Sequence, residues 1–318
     1  MDEQARHPLL SIPRPIFWVP PIRALAKAIN LGIEFNRHGI VALGYGRIGK
    51  STALVLLSQD REWREYSCYW HSVLPGKPAA SSESYFFNTL KVSMNLKVRE
   101  QTQSVFSIEH AVNYLCEQAA SADAQVIILS IDDANRLQGG DYDHLVTLDN
   151  HITAQGFRLF VVLMVQSDAD RSDVPSFDKD QYPSQITGRF TADEYTYLGL
   201  NGLSEIREAM CAFGDQVHNG RTFLEEFAGN AVRNGWRMDQ HAEGLIDAAA
   251  KLRAENGLDP DAPFPMQCFD TACYYLLVRV AAESPEFNGL SPQSLRKAIE
   301  ISGLIQIELS RQPKDIKK

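Results

Sequence analysis

Gly39-Ile-Val-Ala-Leu-Gly-Tyr-Gly-Arg-Ile-Gly-Lys-Ser-Thr52 is the stretch around which the rest of this chain is read. Ile40 to Leu43 form a short apolar run suited to a buried strand, and Ala53 to Leu57 continue apolar with helical character. Between the two runs, Gly44, Gly49, Lys50 and Ser51 fall at the spacing G-x-x-x-x-G-K-[ST], with Gly46 and Thr52 in the same loop. That spacing makes a phosphate cradle. Backbone N–H groups wrap the phosphate oxygens, the lysine reaches the outer phosphates, and the serine hydroxyl ligates Mg²⁺. Glycine lets the backbone approach closely, and the helix that follows adds its positive end.

An acidic strand completes the pattern. Val126-Ile-Ile-Leu-Ser-Ile131 reads as a buried strand that delivers Asp132 and Asp133 to its carboxyl end. A carboxylate there suits a metal held beside bound phosphates, so Asp132 is the candidate for Mg²⁺ and Asp133 for orienting the attacking water. The same Asp alone would be read as a helix cap. Phe157 to Val165 is a further apolar strand, ending on Gln166, whose amide is a candidate sensor of the γ-phosphate.

Composition sets the outer bounds. The chain has 318 residues, 44% hydrophobic and 22% charged, so it can bury a large core. A net charge of -9 excludes a wholly basic nucleic-acid coat but leaves room for a local patch, for which Lys77, Lys91, Lys97 and Arg99 are the candidates. No apolar run is long enough to span a membrane, and the first ten residues are charged rather than signal-like, so a cytoplasmic protein is expected. The 5 cysteines form no Cys-x-x-Cys pair and are expected as free buried thiols.

Before the loop, Pro8, Pro13, Pro15, Pro20 and Pro21 forbid regular helix around the apolar Ile16-Phe-Trp-Val19, giving either a docking arm or a strap on the chain's own surface. Ile22 to Phe35 has helical spacing. After the loop, strands are expected at Tyr66 to Leu74 and Tyr195 to Leu200, and helices at Ser82 to Leu96, at Ser107 to Ala120 with Ser107 as cap, and at Leu145 to Ala154. From Ser204 the pattern is almost wholly helical, including Cys268 to Ala282 and a Ser-Pro-capped helix from Ser291 to Ile307. Three regions follow: an arm and helix over 1–38, an α/β nucleotide-binding part over 39–202, and a helical lid and C-terminal bundle over 203–318.

This order of elements resembles an AAA+ P-loop NTPase, a parallel five-stranded sheet between helices followed by a helical lid. Within that group the chain resembles the TniB/TnsC family of transposition regulators over Pro13 to Leu252. The match is carried by Gly44-Tyr-Gly-Arg-Ile-Gly-Lys-Ser-Thr52, Ile131-Asp-Asp-Ala-Asn-Arg-Leu137 and Gly188-Arg189-Phe190. The resemblance implies ATP with Mg²⁺, rings or filaments of the chain on double-stranded DNA, and a link between a target-selecting protein of the TniQ type and a DDE transposase. It also implies Arg189 as an arginine finger reaching a neighbouring subunit's nucleotide, and a lid arginine for which Arg233 and Arg237 are candidates. One position departs from the family. Asp133 stands where the family usually has Glu, which draws the carboxylate back by one methylene and implies slow hydrolysis.

Two other readings share the phosphate loop: a signalling or defence NTPase switch that binds a protein without DNA, and a small-molecule kinase. The kinase leaves Arg189 and the helical tail without a task.

Overall fold

The computed structural model describes residues 7–76, 82–96, 104–166, 188–284 and 286–311. The chain divides into two units, one built from Ala24–Gly46 and Lys50–Tyr197, the other from Met1–Arg23, Arg47–Gly49 and Leu198–Lys318.

In the first unit the β-branched and leucine-rich runs become strands: β1 (Gly39–Gly44), β2 (Cys68–Val73), β3 (Val126–Ile131), β4 (Arg158–Gln166) and the short β5 (Glu194–Thr196). They form one 5-stranded sheet in the order β2-β3-β4-β1-β5, parallel throughout. β1 and β3 are buried at every position because both faces of the sheet are covered. One face (Val41, Leu43, Ile127, Leu129, Val161, Leu163) packs with α3 (Glu83–Ser93), α4 (Ser104–Ser121) and α5 (Gly139–Ala154) through residues such as Phe87, Leu115 and Leu148. On the other face, Gly32 of α1 (Pro20–Glu34) lies so close to Phe160 that an added Cβ would stand 2.7 Å from its ring.

β5 is shorter than Tyr195 to Leu200. Leu200 instead makes an isolated antiparallel bridge with Phe264 of the helical unit. α4 starts a turn ahead of Ser107, which is buried within the helix rather than capping it.

His71 on β2 is a buried titratable group. Its Nε2 lies 2.8 Å from Ser93 Oγ, whose own proton goes to the Leu90 carbonyl at 2.6 Å, so the neutral ring donates. Burial pushes the imidazole down from 6.5 to about 4. The folded chain therefore resists a proton that the unfolded chain accepts. His71's contribution is complete above pH 6.5 and is lost as the pH falls toward 4, by about 3 kcal/mol in total. Urea unfolding at pH 7 and pH 4.5 checks this: His71→Gln should lose less stability on acidification than the parent, and equal losses would reject it.

The second unit is helical, with α6 (Gly202–Gly214), α7 (Phe223–Arg233), α8 (Ala242–Glu255), α9 (Met266–Tyr274), α10 (Pro292–Ser302) and α11 (Leu304–Ser310). The helix expected over Cys268 to Ala282 continues past α9 as a π-helix, Tyr275–Ala281. The one expected over Ser291 to Ile307 is divided at Gly303, whose φ of 73° is the left-handed cap that ends α10. A small hairpin, Val217–His218 with Arg221–Thr222, precedes α7. Its turn residues Asn219 (φ 50°) and Gly220 (φ 79°) are the Asn-Gly pair that favours a two-residue hairpin loop.

The proline-rich arm is a strap on this unit. Phe17 packs edge-on to Phe213 at 5.1 Å, and Arg14 pairs with Asp270 at 2.9 Å while lying 4.0 Å over the Tyr274 ring.

Candidate nucleotide site

In a parallel sheet every strand ends on the same edge, so residues far apart in sequence are gathered there without any contact between their segments. β1 runs into the glycine loop and β3 into Asp132-Asp133. β4 lies between them and ends on Gln166, which pairs in register with Gly44. Ile131 pairs with Leu163, so Asp132 follows at the level of Met164 and Ala42, two residues short of Gly44. β1 and β3 are two strand spacings apart, about 10 Å. Loop, acid and amide share one edge.

The loop has the backbone its sequence requires. Arg47 (φ 62°) and Gly49 (φ 110°) both have positive φ, and the second value belongs to glycine. The Lys50 ammonium is drawn inward, donating at 2.7 Å to the carbonyls of both Gly44 and Tyr45, and the residue is 7% exposed. Lys50 opens α2 (Lys50–Gln59), so Ser51 and Thr52 stand exposed in the first turn, where helix N–H groups favour an anion. Gln166 lies against the loop: a Cβ on Gly46 would come within 3.1 Å of its Nε2.

The two aspartates are held differently. Asp132 accepts the Asp133 N–H on Oδ1 at 3.0 Å, and its own N–H goes to the Val73 carbonyl at 3.1 Å. Asp133 has a left-handed backbone (φ 51°, ψ 44°), uncommon for a non-glycine residue, and its carboxylate pairs with Arg136 at 2.9 Å. Arg136 in turn reaches toward the Pro75 carbonyl at 3.5 Å. Ser51 and Asp132 offer the hard oxygen donors that Mg²⁺ takes, and the loop offers its backbone and Lys50 to phosphate, so the residues present fit Mg²⁺ and a nucleoside triphosphate.

A glycine loop after β1, an acid after β3 and the order β2-β3-β4-β1-β5 together decide the architecture. The fold is of the AAA+ P-loop type. No protein-family model matches the sequence, and no curated protein matches it. Among solved structures, Drosophila ORC bound to DNA is similar at 14% identity and TM-score 0.45, covering 89% of this chain and 64% of that one. A point variant of Thermotoga maritima RuvB gives 12% and 0.42, with 88% and 67% covered. Cdc6p from Pyrobaculum aerophilum gives 13% and 0.37, with 85% and 70% covered.

In this AAA+ fold Arg189 lies on the opposite edge of the sheet. Its Nη1 is 3.1 Å from Asn150 Oδ1 and 3.3 Å from Asp149 Oδ2. Asp149 also meets His38, which immediately precedes β1, at 3.0 Å. Gly39, the first residue of β1, has Phe190 O only 3.3 Å from its would-be Cβ. From Gly39 to Gly44 is five steps of strand, about 16 Å, so Arg189 and the loop are separated by the length of β1. Burial pushes the Asp149 carboxyl up from its ordinary range, a pull that outweighs the attraction of His38 and Arg189.

Periodicity gave no role to Asp149. The signal was an acid on the apolar face of a helix, flanked by Leu145, Leu148 and Ile152.

The basic patch needs correction. Lys91 is 2% exposed within α3, so its charge is not offered to a DNA phosphate. Lys77, Lys97 and Arg99 lie outside the described residues. Of the lid candidates, Arg233 bonds Asn230 Oδ1. Arg237 is committed to Cys211 Sγ at 3.8 Å, Asp215 at 3.0 Å and Asp239 at 3.1 Å, and the Cys211 contact, followed by the two carboxylates, raises its already high pKa. Among the described residues no helix is long and apolar enough to cross a membrane. All 5 cysteines are free, and burial pushes Cys68, Cys116 and Cys268 up to about 11.

Proposed function

We propose that the chain is an ATPase that assembles with copies of itself on double-stranded DNA and regulates transposition, linking a TniQ-type target selector to a transposase. The observation that carries the self-assembly is the placement of the charged groups on one sheet. Lys50, Ser51 and Asp132 stand at the carboxyl edge, and Arg189 stands at the amino edge. A nucleotide that needs all of them lies between two copies, with the loop from one and the arginine from the next. Lys50 and the loop N–H groups bind the phosphates, Ser51 and Asp132 hold the metal, Gln166 reads the outer phosphate, and Asp133 orients water. Bound ATP and Mg²⁺ supply the transferable phosphoryl group and the charge that neutralises it.

Asp133 is a short acid already paired with Arg136, which favours slow turnover and a nucleotide that acts chiefly as interface glue. Repetition of a small patch along a filament would give avidity for DNA despite the acidic total. The link to transposition rests on the motif resemblance.

The test is sedimentation of the chain with a non-hydrolysable ATP analogue, with and without long duplex DNA. Large oligomers that need both support the proposal. Nucleotide-dependent assembly indifferent to DNA would favour the protein-binding switch. Arg189→Ala should keep nucleotide affinity within about twofold while losing assembly or at least about a hundredfold in turnover. Unchanged turnover would reject the finger.

A further inference from the structure

Three side chains that the nucleotide reading does not use converge in the helical unit. His7 comes from the arm, His218 from the hairpin and Glu226 from the first turn of α7. His7 Nε2 lies 2.6 Å from Glu226 Oε2, and His218 Nδ1 lies 3.1 Å from Glu226 Oε1. One donor atom from each residue falls within a sphere of mutual distances no larger than 4.8 Å.

We propose that His7, His218 and Glu226 form a binding site for a divalent transition ion of the Zn²⁺ class, which clips the N-terminal arm to the helical unit. Two imidazoles and one carboxylate are a donor set that Zn²⁺ takes while leaving its fourth position to water, and imidazole nitrogen selects against Mg²⁺ and Ca²⁺. Bonds of about 2.0–2.1 Å at tetrahedral angles place donor atoms roughly 3.4 Å apart. The pair at 2.6 Å must open by about 0.8 Å, and no pair, all lying within 4.8 Å, has to close by more than about 1.4 Å. The side chains are 12%, 20% and 19% exposed, which lets water reach the fourth position while the rest is enclosed. Phe223 and Phe227 stand edge-on to the His7 ring at 4.7 and 4.6 Å and fix its plane.

Local chain chemistry builds the geometry. The Asn219-Gly220 turn presents His218, and the Thr222–Glu225 capping box starts α7 so that Glu226 falls in its first turn. Asn219's amide sits 3.1 Å from His218 Nε2, and its carbonyl end can accept that ring proton once Nδ1 is ligated.

His7 carries a mechanical consequence. Its Nδ1 accepts the Leu9 N–H at 3.1 Å, so the neutral ring keeps its proton on Nε2, toward Glu226. An ion on Nε2 moves that proton to Nδ1, and the Leu9 N–H must then leave. Ion binding therefore reshapes the turn Pro8–Leu10 at the root of the arm.

The full chain, stripped with chelator, would be titrated with Zn²⁺ against a chromophoric competitor and separately with Co²⁺. The expected result is one ion per chain, a four-coordinate Co²⁺ spectrum, and faster amide exchange at Leu9 on loading. His218→Gln and Glu226→Gln should each weaken uptake on the order of a hundredfold, since even outer-shell partners are worth tenfold to a hundredfold. No uptake, uptake untouched by either substitution, or the weak spectrum of hydrated octahedral Co²⁺ would overturn the proposal. Should either variant misfold by circular dichroism, the Co²⁺ spectrum and Leu9 exchange of the parent chain decide it.

Discussion

Lys50→Ala is expected to weaken ATP binding a hundredfold or more and to abolish ATP-dependent assembly. The ammonium is gripped by the carbonyls of Gly44 and Tyr45 at 2.7 Å, so it is aimed before any ligand arrives and little entropy is lost on meeting a phosphate. A charge-assisted contact in a partly desolvated loop is worth about 3 kcal/mol, which corresponds to roughly a hundredfold in affinity. The substitution also removes the partner of both loop carbonyls, so the cradle loses shape as well as charge. Fluorescent-nucleotide titration measures the first effect and sedimentation the second. Near-normal affinity in the variant would mean that the loop does not hold phosphate, and filaments formed normally by it would remove ATP from the assembly mechanism.

The second large effect concerns stability. Arg253 and Glu308 form a buried pair, with side chains 4% and 1% exposed and joined twice, Nε to Oε2 at 3.1 Å and Nη2 to Oε1 at 2.8 Å. Arg253 further donates to the carbonyls of Pro260 and Pro263, at 3.3 and 3.2 Å. Glu308→Ala strands a guanidinium in the interior of the helical unit and should cost about 3–5 kcal/mol of unfolding free energy, measured in urea. Replacing both members, as Arg253→Met with Glu308→Leu, should recover most of the loss, because the penalty belongs to the unpaired charge rather than to the missing pair. A single variant within about 1 kcal/mol of the parent would show that water reaches the site.

How legible the chain was depends on the range of the interaction. The glycine loop, the apolar strands and the acid at the end of β3 are local patterns, and each was readable from residues a few positions apart. Gln166 was readable as a strand end, but only its pairing with Gly44 puts the amide against Gly46. The hairpin at Val217–Thr222 carried a plain Asn-Gly signal, hidden inside a region whose overall periodicity is helical. The break at Gly303 was likewise written in one residue within a run that otherwise continues the apolar spacing. Lys91 shows the opposite case. Lysine on a helix reads as solvated, and burial depends on what α3 packs against.

By itself the sequence determined that this chain carries a phosphate-loop spacing after its first strand and acids after a later one, because backbone freedom at glycine and continuous apolar runs are properties of neighbouring residues. Only the tertiary structure decided that loop and acids share one edge of the sheet, that Arg189 stands at the other beside His38 and Asp149, and that the proline-rich arm folds back onto the helical unit. Strand order and the landing place of a flexible arm depend on contacts between residues far apart in the chain, and local sequence cannot encode a distance that only the packed sheet creates.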